Sequence, residues 1–546
     1  MVAAVLLGLS LFGLATNAAE TRVFVKAGKA VDARVMGNGW KETSGALVGS
    51  GVGQFVKAGQ ALGPGDFRIK ARLSLDALEH TAASFFIGDN HFGLDGSGGR
   101  LFVQGPLFGP ETRFVGKALD FVKPGEPFTL EVRREGSELA FLIEGKEALR
   151  QQAETGTLAD VGLRPWRSTM RVTSFEATGT FIETPPAQAV FSGGQDGYHT
   201  YRIPSLLVTP RATLLALCEG RKEGRGDAGN IDLLLRRSTD QGRTWGEIQV
   251  VWDEMGNTCG NPCPVVDQET GAIWLLMTWN RGDDREPQII NQTGKDTRRV
   301  FVTSSRDDGR TWAKPSEITA DVKKPDWTWY ATGPGAGIQV EHGPHRGRLV
   351  IPCDHIEAGS KHYYSHIIYS DDHGQSWHLG GRTPQHQVNE CEVVELTGGR
   401  LMLNMRNYDR SQLTRQIAFS DDGGMTWHDQ QHADALIEPI CQASIRRHSW
   451  PHDGKPGLIL FSNPSSRSRE NVTLKGSLDD GRTWPHAQVL HAGPSAYSCL
   501  AVLPDGSVAC LYERGQGNAY ETISFTRLTP DWVPGQGKSK DGTKAE

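Results

Sequence analysis

An all-β fold split between two domains is what the sequence predicts, and three observations carry it. Glycine is abundant, at 65 of 546 residues, and the apolar runs are short, as in a chain with many tight turns. Apolar and polar residues alternate with period two in several segments of the first third. One eight-residue pattern returns five times in the remainder. A chain of this length also exceeds what one hydrophobic core usually serves. The formal net charge of −6 is small and no long basic run occurs, which excludes nucleic acid and anionic membrane surfaces as partners.

Met1 to Ala19 is an apolar segment ending in Thr16-Asn17-Ala18-Ala19. It is short for a membrane span and has small residues where a signal peptidase cuts, although no Lys or Arg opens it. Residues 1–19 therefore read as a signal peptide, and the mature protein as secreted or periplasmic. No later stretch has the length and apolarity to cross a bilayer, so an integral membrane protein is not expected. The eight cysteines are too few for a disulfide scaffold. Cys259 and Cys263 lack a second ligand pair at zinc spacing, so packed thiols or one disulfide are expected, and no metal.

Residues 20–182 alternate as short strands. Phe67, Ile69, Ala71, Leu73 and Leu75 share one face, while Arg68, Lys70, Arg72 and Ser74 share the other. Phe128-Leu130-Val132, Met170-Val172 and Phe175-Ala177 repeat the alternation. The segment from Phe85 to Gly93 is more apolar and suits a central strand. This is the pattern of a β-sandwich, and it resembles the lectin-like jelly rolls attached to many secreted glycosidases. Residues 183–187, Glu-Thr-Pro-Pro-Ala, read as an extended linker. The second domain is expected over 188–528, and a flexible tail, rich in Gly, Lys, Ser and Asp, over 529–546.

The repeat is S-x-D-x-G-x-[ST]-W. It runs Ser238–Trp245, Ser305–Trp312, Ser370–Trp377, Ser420–Trp427 and Ser477–Trp484, at intervals of roughly 50 to 67 residues, as for blades of a propeller. Each copy is a turn. The aspartate accepts backbone N–H bonds, the glycine takes a positive φ, and the tryptophan packs into the blade. These aspartates and tryptophans are structural.

Five such Asp boxes follow a Tyr201-Arg202-Ile203-Pro204 segment. Together they resemble the sialidase family, retaining exo-α-sialidases built on a six-bladed β-propeller, and the resemblance covers the second domain. It implies a cleft in which three arginines hold the carboxylate of a sialic acid. An arginine's planar fork suits this task, because it gives parallel charge-assisted bonds. By resemblance the three are Arg202, Arg406 in Leu401-Met-Leu-Asn-Met-Arg406, and Arg469 ahead of Glu470-Asn-Val-Thr, with Arg467 as a competitor. The nucleophile is Tyr497 in Gly493-Pro-Ser-Ala-Tyr497, since sialidases are exceptions to the carboxylate nucleophile of most retaining glycosidases. A neutral phenol approaches an anomeric centre that already bears a carboxylate without like-charge repulsion. It needs a base, which the resemblance places at Glu390 in Val388-Asn-Glu390. Strand alternation puts Glu392 on the same face, and the Asn-Glu motif favours Glu390.

The acid/base implied is Asp227 in the Gly-rich loop Glu223-Gly-Arg-Gly-Asp227-Ala-Gly. Asp232, already within an apolar strand, is the weaker candidate. Protonating a leaving oxygen asks for a pKa above the free value of about 3.9. Glu513 resembles the glutamate that holds the first arginine, and Arg221 the arginine at the sugar's 4-hydroxyl, with Asp283 or Asp284 as its acid partner. Trp327, Trp329 and Tyr330 could border the N-acetyl pocket or simply pack. The expectation is thus a monomer acting on sialylated glycans, with no metal or organic cofactor. Sialyl transfer, or intramolecular transfer giving an anhydro-sugar, would use the same groups. A non-catalytic sialoglycan-binding propeller is the reading from another class.

Overall fold

The computed structural model describes residues 19–534, apart from 61, 64, 79–80, 89, 96–97, 118–119, 153–160 and 182–183. The signal-peptide expectation therefore falls, except for Ala19, outside the described residues. The chain divides after residue 183 into two compact units.

The first unit is two antiparallel sheets around one core. Phe67–Leu75 pairs with Phe128–Glu135 on one side and Thr169–Gly179 on the other. Its five apolar residues are all buried, because a period-two strand turns alternate side chains to one face. Ser84–Ile87 lies mid-sheet in the second layer, between Asn90–Asp95 and Val161–Arg164. The core joins both layers, with the Phe92 and Phe141 rings stacked at 4.7 Å.

The second unit is a β-propeller of antiparallel strands. Thr200–Val208, Leu214–Arg221, Ile231–Ser238 and Gln249–Trp252 run from inside to outside. The same four-strand order recurs from Thr258–Val266, from Trp327–Thr332 and from Val388–Glu395. The 17-residue strand His486–Val502 serves two successive groups. Ala187–Ser192 completes the last group by pairing with Thr522–Leu528. All eight cysteines are buried free thiols.

Each Asp box links the third strand of a group to the fourth. In the first, Thr244 N donates to Asp240 Oδ1 at 2.9 Å, Thr244 Oγ1 to Oδ2 at 2.6 Å, and Gly242 N to Ser238 Oγ at 2.8 Å. The other four repeat these bonds around Asp307, Asp372, Asp422 and Asp479. Gly242 has φ 86°, and a Cβ there would meet the Phe525 ring at 2.1 Å, so only glycine fits. Hydrogen bonds from Thr244 and Thr311 hold Asp240 and Asp307 at about 2; at Asp372, burial pushes up but the Ser376 bonds prevail, again to about 2. Carboxylates with depressed folded pKa values stabilise fully above their unfolded value near 4, and lose this as pH falls through about 2. Replacing all three by asparagine is therefore expected to flatten the fall of Tm between pH 4 and 2. An unchanged slope would place the acid sensitivity elsewhere.

Two residues of the segment expected as a tail, 529–546, are packed. Trp532 and Val533 pack on the cluster of Leu458, Leu474 and Val508, because two apolar side chains find a ready core edge there. Residues 535–546 lie outside the described residues.

Candidate active site

Five inner strands break register at one level. The breaks fall between Arg202 and Ser205, Gly260 and Cys263, Trp327 and Tyr330, Val388 and Cys391, and Ser495 and Ser498. Each break carries a residue that lines one cavity of about 160 Å³: Arg202, Asn261, Trp329, Glu390 and Tyr497 respectively. A bulge re-aims a side chain that a regular pleat would send into the blade. Two of the breaks hold non-glycine residues at positive φ, Ile203 at 61° and Asn261 at 52°. A β-branched residue in that region is strained. Its amide is fixed by Glu513 Oε1, which accepts from Ile203 N at 2.9 Å.

Tyr497, Glu390 and Arg406 form one hydrogen-bonded group. Tyr497 Oη donates to the Glu390 carboxylate, 2.7 Å from both oxygens. Arg406 Nη1 donates to Glu390 Oε2 at 2.6 Å and to Tyr497 Oη at 2.9 Å. Burial pushes the Tyr497 phenol well above its usual value and the Glu390 charge adds to this; Arg406 and Arg469 oppose. The phenol is therefore protonated in this state, with its proton already aimed at a carboxylate. Glu392 points elsewhere: its buried carboxylate accepts from Ala336 N, Ser444 Oγ and Ile445 N.

The three arginines named from sequence all line the cavity. Arg202 Nε donates to Glu513 Oε1 at 2.7 Å, and Glu513 is fully buried. The same carboxylate accepts from Tyr497 N at 3.1 Å, so one residue ties the first arginine to the tyrosine. Arg202 and Arg469 lie 5.2 and 5.6 Å from the Tyr497 ring centroid. This concentration of positive charge suits a carboxylate ligand.

Asp227 reaches Arg221 Nη1 at 2.8 Å while its side chain stays 66% exposed. Arg221 is itself buried and forked onto Glu219 Oε2 by Nε at 3.0 Å and Nη2 at 2.7 Å. Desolvation pushes the Asp227 carboxyl up, but Arg221 and Arg202 outweigh it, and the net direction is below the usual carboxylate range. This direction is opposite to what a proton donor needs. Asp232 is not among the cavity-lining residues and accepts from Tyr198 Oη at 2.7 Å.

Neither Asp283 nor Asp284 joins Arg221. Asp283 pairs with Arg281 and Lys295 at the surface. Asp284 accepts the amides of Lys295 and Asp296 to close a loop. The buried carboxylate that meets Arg221 is Glu219, because alternation on strand Leu214–Arg221 sets it on the same face as Arg221. That spacing was legible in Glu219-Gly-Arg221. Trp329 lines the cavity, whereas Trp327 stacks on His355 at 3.4 Å. Unforeseen in the lining are Asn261, Glu286, Arg298, Asp354, Asn389 and Tyr408. Arg298 donates to Asn261, Asn280 and Thr278, with its guanidinium 4.0 Å from the Trp329 ring. Burial, then the charges of Glu390 and Glu286, push Asp354 well above the usual carboxylate range.

The BNR repeat-like domain family matches residues 212–510. A sialidase of Micromonospora viridifaciens is 36% identical over 357 residues, covering 61% of this chain and 53% of that protein. A sialidase of Bacteroides fragilis is 34% identical, over 61% of this chain and 63% of its own length. The chain thus spans between half and two thirds of the length of these relatives. Sialidase-3 of Mus musculus is 32% identical over 404 residues, covering 63% of this chain and 95% of the relative. Among solved structures, a Hadza microbial sialidase superposes with TM-score 0.57 at 24% identity, over 87% of this chain and 96% of that one. With its five Asp boxes and a family match over more than half its length, the chain belongs to the sialidase family.

Proposed function

We propose that this chain is a retaining exo-α-sialidase, secreted or periplasmic and monomeric, releasing terminal α-linked sialic acids from glycoproteins, glycolipids and oligosaccharides. The supporting observation is the Tyr497–Glu390–Arg406 group in a cavity shared with Arg202 and Arg469. Residues 188–528 are read as six blades, with 20–182 as the sandwich and 183–187 as the linker.

The substrate carboxylate rests on Arg202, Arg406 and Arg469, and Arg221 contacts a ring hydroxyl. Tyr497 Oη attacks the anomeric carbon as Glu390 takes its proton, and Asp227 protonates the departing glycosidic oxygen. A tyrosyl-sialosyl intermediate results. Asp227, now a carboxylate, deprotonates the water that displaces Tyr497 Oη, and Glu390 returns the proton to the phenol. Configuration is retained after two inversions. The scheme uses no metal or organic cofactor.

The test is hydrolysis of an aryl α-sialoside followed by NMR of the first-formed product. Free sialic acid appearing as its α-anomer is expected. The β-anomer would overturn retention, a 2,7-anhydro sugar would move the enzyme to intramolecular transfer, and binding without turnover would leave a lectin.

Substrate binding neutralises Arg202 and excludes water, and both changes raise the pKa of Asp227 toward that of a donor. The descending limb of kcat against pH is therefore expected to belong to Asp227. In Asp227→Asn, assayed with a leaving group that needs no proton, that limb should vanish. Its persistence would remove Asp227 from the donor's role.

A further inference from the structure

Arg202 and Arg406 each meet a carboxylate, but Arg469 meets none among the described residues. Arg202 pairs with Glu513 and Arg406 with Glu390. Arg469 Nη1 donates instead to Tyr520 Oη at 2.8 Å, and Nη2 to the Ile440 carbonyl at 3.4 Å. The same tyrosine holds Arg202 by its ring, with the guanidinium carbon 4.3 Å from the centroid. Tyr520 thus touches two arginines that stand more than 250 positions apart in the chain.

The loop that presents Tyr520 is built for the purpose. Residues 515–521 join Val508–Arg514 to Thr522–Leu528. Glu521 accepts the amides of Gln516, Gly517 and Asn518 at 2.9, 2.7 and 2.9 Å, and Asn518 Oδ1 accepts Tyr520 N at 2.9 Å. Behind the ring lie Ile203, Cys441, Ala496, Tyr497 and Ala519. A half-buried ring in so many fixed contacts has little rotamer freedom.

We infer that Tyr520 is a positioning residue of the carboxylate clamp, one that orients Arg469 and Arg202 together while leaving the charge of Arg469 uncompensated for the ligand. The phenol's neutrality is the point. A carboxylate at the same place would orient Arg469 equally well but would cancel the charge that the incoming carboxylate must find. A neutral acceptor fixes direction and keeps the field. The ring adds a cation–π contact that holds the Arg202 plane without using its remaining N–H groups.

This inference rests on the sialoside reading above, and the test separates the two. The probes are 2,3-didehydro-2-deoxy-sialic acid and its methyl ester, with binding measured by calorimetry on the full chain. Wild type should bind the acid far more tightly than the ester. In Tyr520→Phe, which keeps the ring and loses the acceptor, affinity for the acid should fall about 10-fold, as for one lost hydrogen bond to a charged group. The ester should be affected less than about 2-fold. Tyr520→Leu should lose a further 3- to 10-fold on the acid. With an aryl sialoside the loss should fall on KM more than on kcat. Equal losses on acid and ester would reduce Tyr520 to a packing residue, and unchanged affinity for the acid would overturn the inference. A wild type that neither binds the acid nor turns over the sialoside would instead overturn the functional reading.

Discussion

Replacing Tyr497 by phenylalanine is expected to lower kcat on an aryl sialoside by at least about 10³-fold, as loss of a nucleophile does in other covalent mechanisms. Stability should change little. The ring keeps its volume, and Glu390 keeps Arg406 at 2.6 Å, so no buried charge is left unpaired. Binding of the didehydro analogue should hold within about 5-fold, because Arg202, Arg406 and Arg469 keep Glu513, Glu390 and Tyr520 as partners and only the bond from Arg406 to the phenol is lost. The measurement is kcat beside calorimetry on one preparation. A kcat within tenfold of wild type would remove Tyr497 from the nucleophile's role. A parallel collapse of binding would mean that the phenol mainly holds Arg406.

Glu513→Ala should be strongly destabilising, although Glu513 stands behind the cavity lining and not in it. Glu513 is fully buried and accepts from Arg202 Nε, Ile203 N and Tyr497 N. Its removal strands a buried guanidinium and two amides, one of them on the strained Ile203. Breaking a buried pair in this way costs about 3–5 kcal/mol. A fall of several degrees in Tm is expected, together with loss of most activity, since Arg202 and Tyr497 lose their common anchor. Glu513→Gln keeps the shape and one acceptor oxygen and should lie between. A Glu513→Ala protein as stable as wild type in denaturant would show that Arg202 finds other compensation.

The sequence made the Asp boxes legible because all their chemistry is local. Ser238, Asp240, Gly242 and Thr244 bond one another within a single turn, so a short pattern suffices. The alternating strand Phe67–Leu75 was legible for the same reason. Most of the cavity named from motifs also came together: Arg202, Arg221, Asp227, Glu390, Arg406, Arg469 and Tyr497 all line it. What stayed hidden depends on breaks in periodicity. Asn261 reaches the cavity only because its strand slips register beside a positive φ, and nothing in Cys259-Gly-Asn-Pro-Cys263 announces this. Asp354 sits in an apolar run, Leu349–Glu357, where a single carboxylate gives no sign of the space it faces. Glu286 arrives on a short helix two residues beyond Asp284, the second of the two aspartates that the resemblance suggested. Tyr520 lies in no motif at all, since its meaning is set by two arginines far away in sequence.

The pairing of Ala187–Ser192 with Thr522–Leu528 has a consequence in time as well as in space. The Thr526 hydroxyl donates to the Pro186 carbonyl across 340 positions of chain. The closing group of strands therefore lacks its outermost member until both ends of the domain are present. On a ribosome the earlier groups can gather as they emerge, but the ring stays open until the last strand is released. Contacts of such sequence separation form slowly, because a long loop must be closed before they give any return. Until then Arg202 and Glu513, on strands near opposite ends of the domain, remain apart. A chain cut short before residue 522 would carry nearly every residue named here but lack Thr522–Leu528, the strand that joins Ala187–Ser192 to the last group.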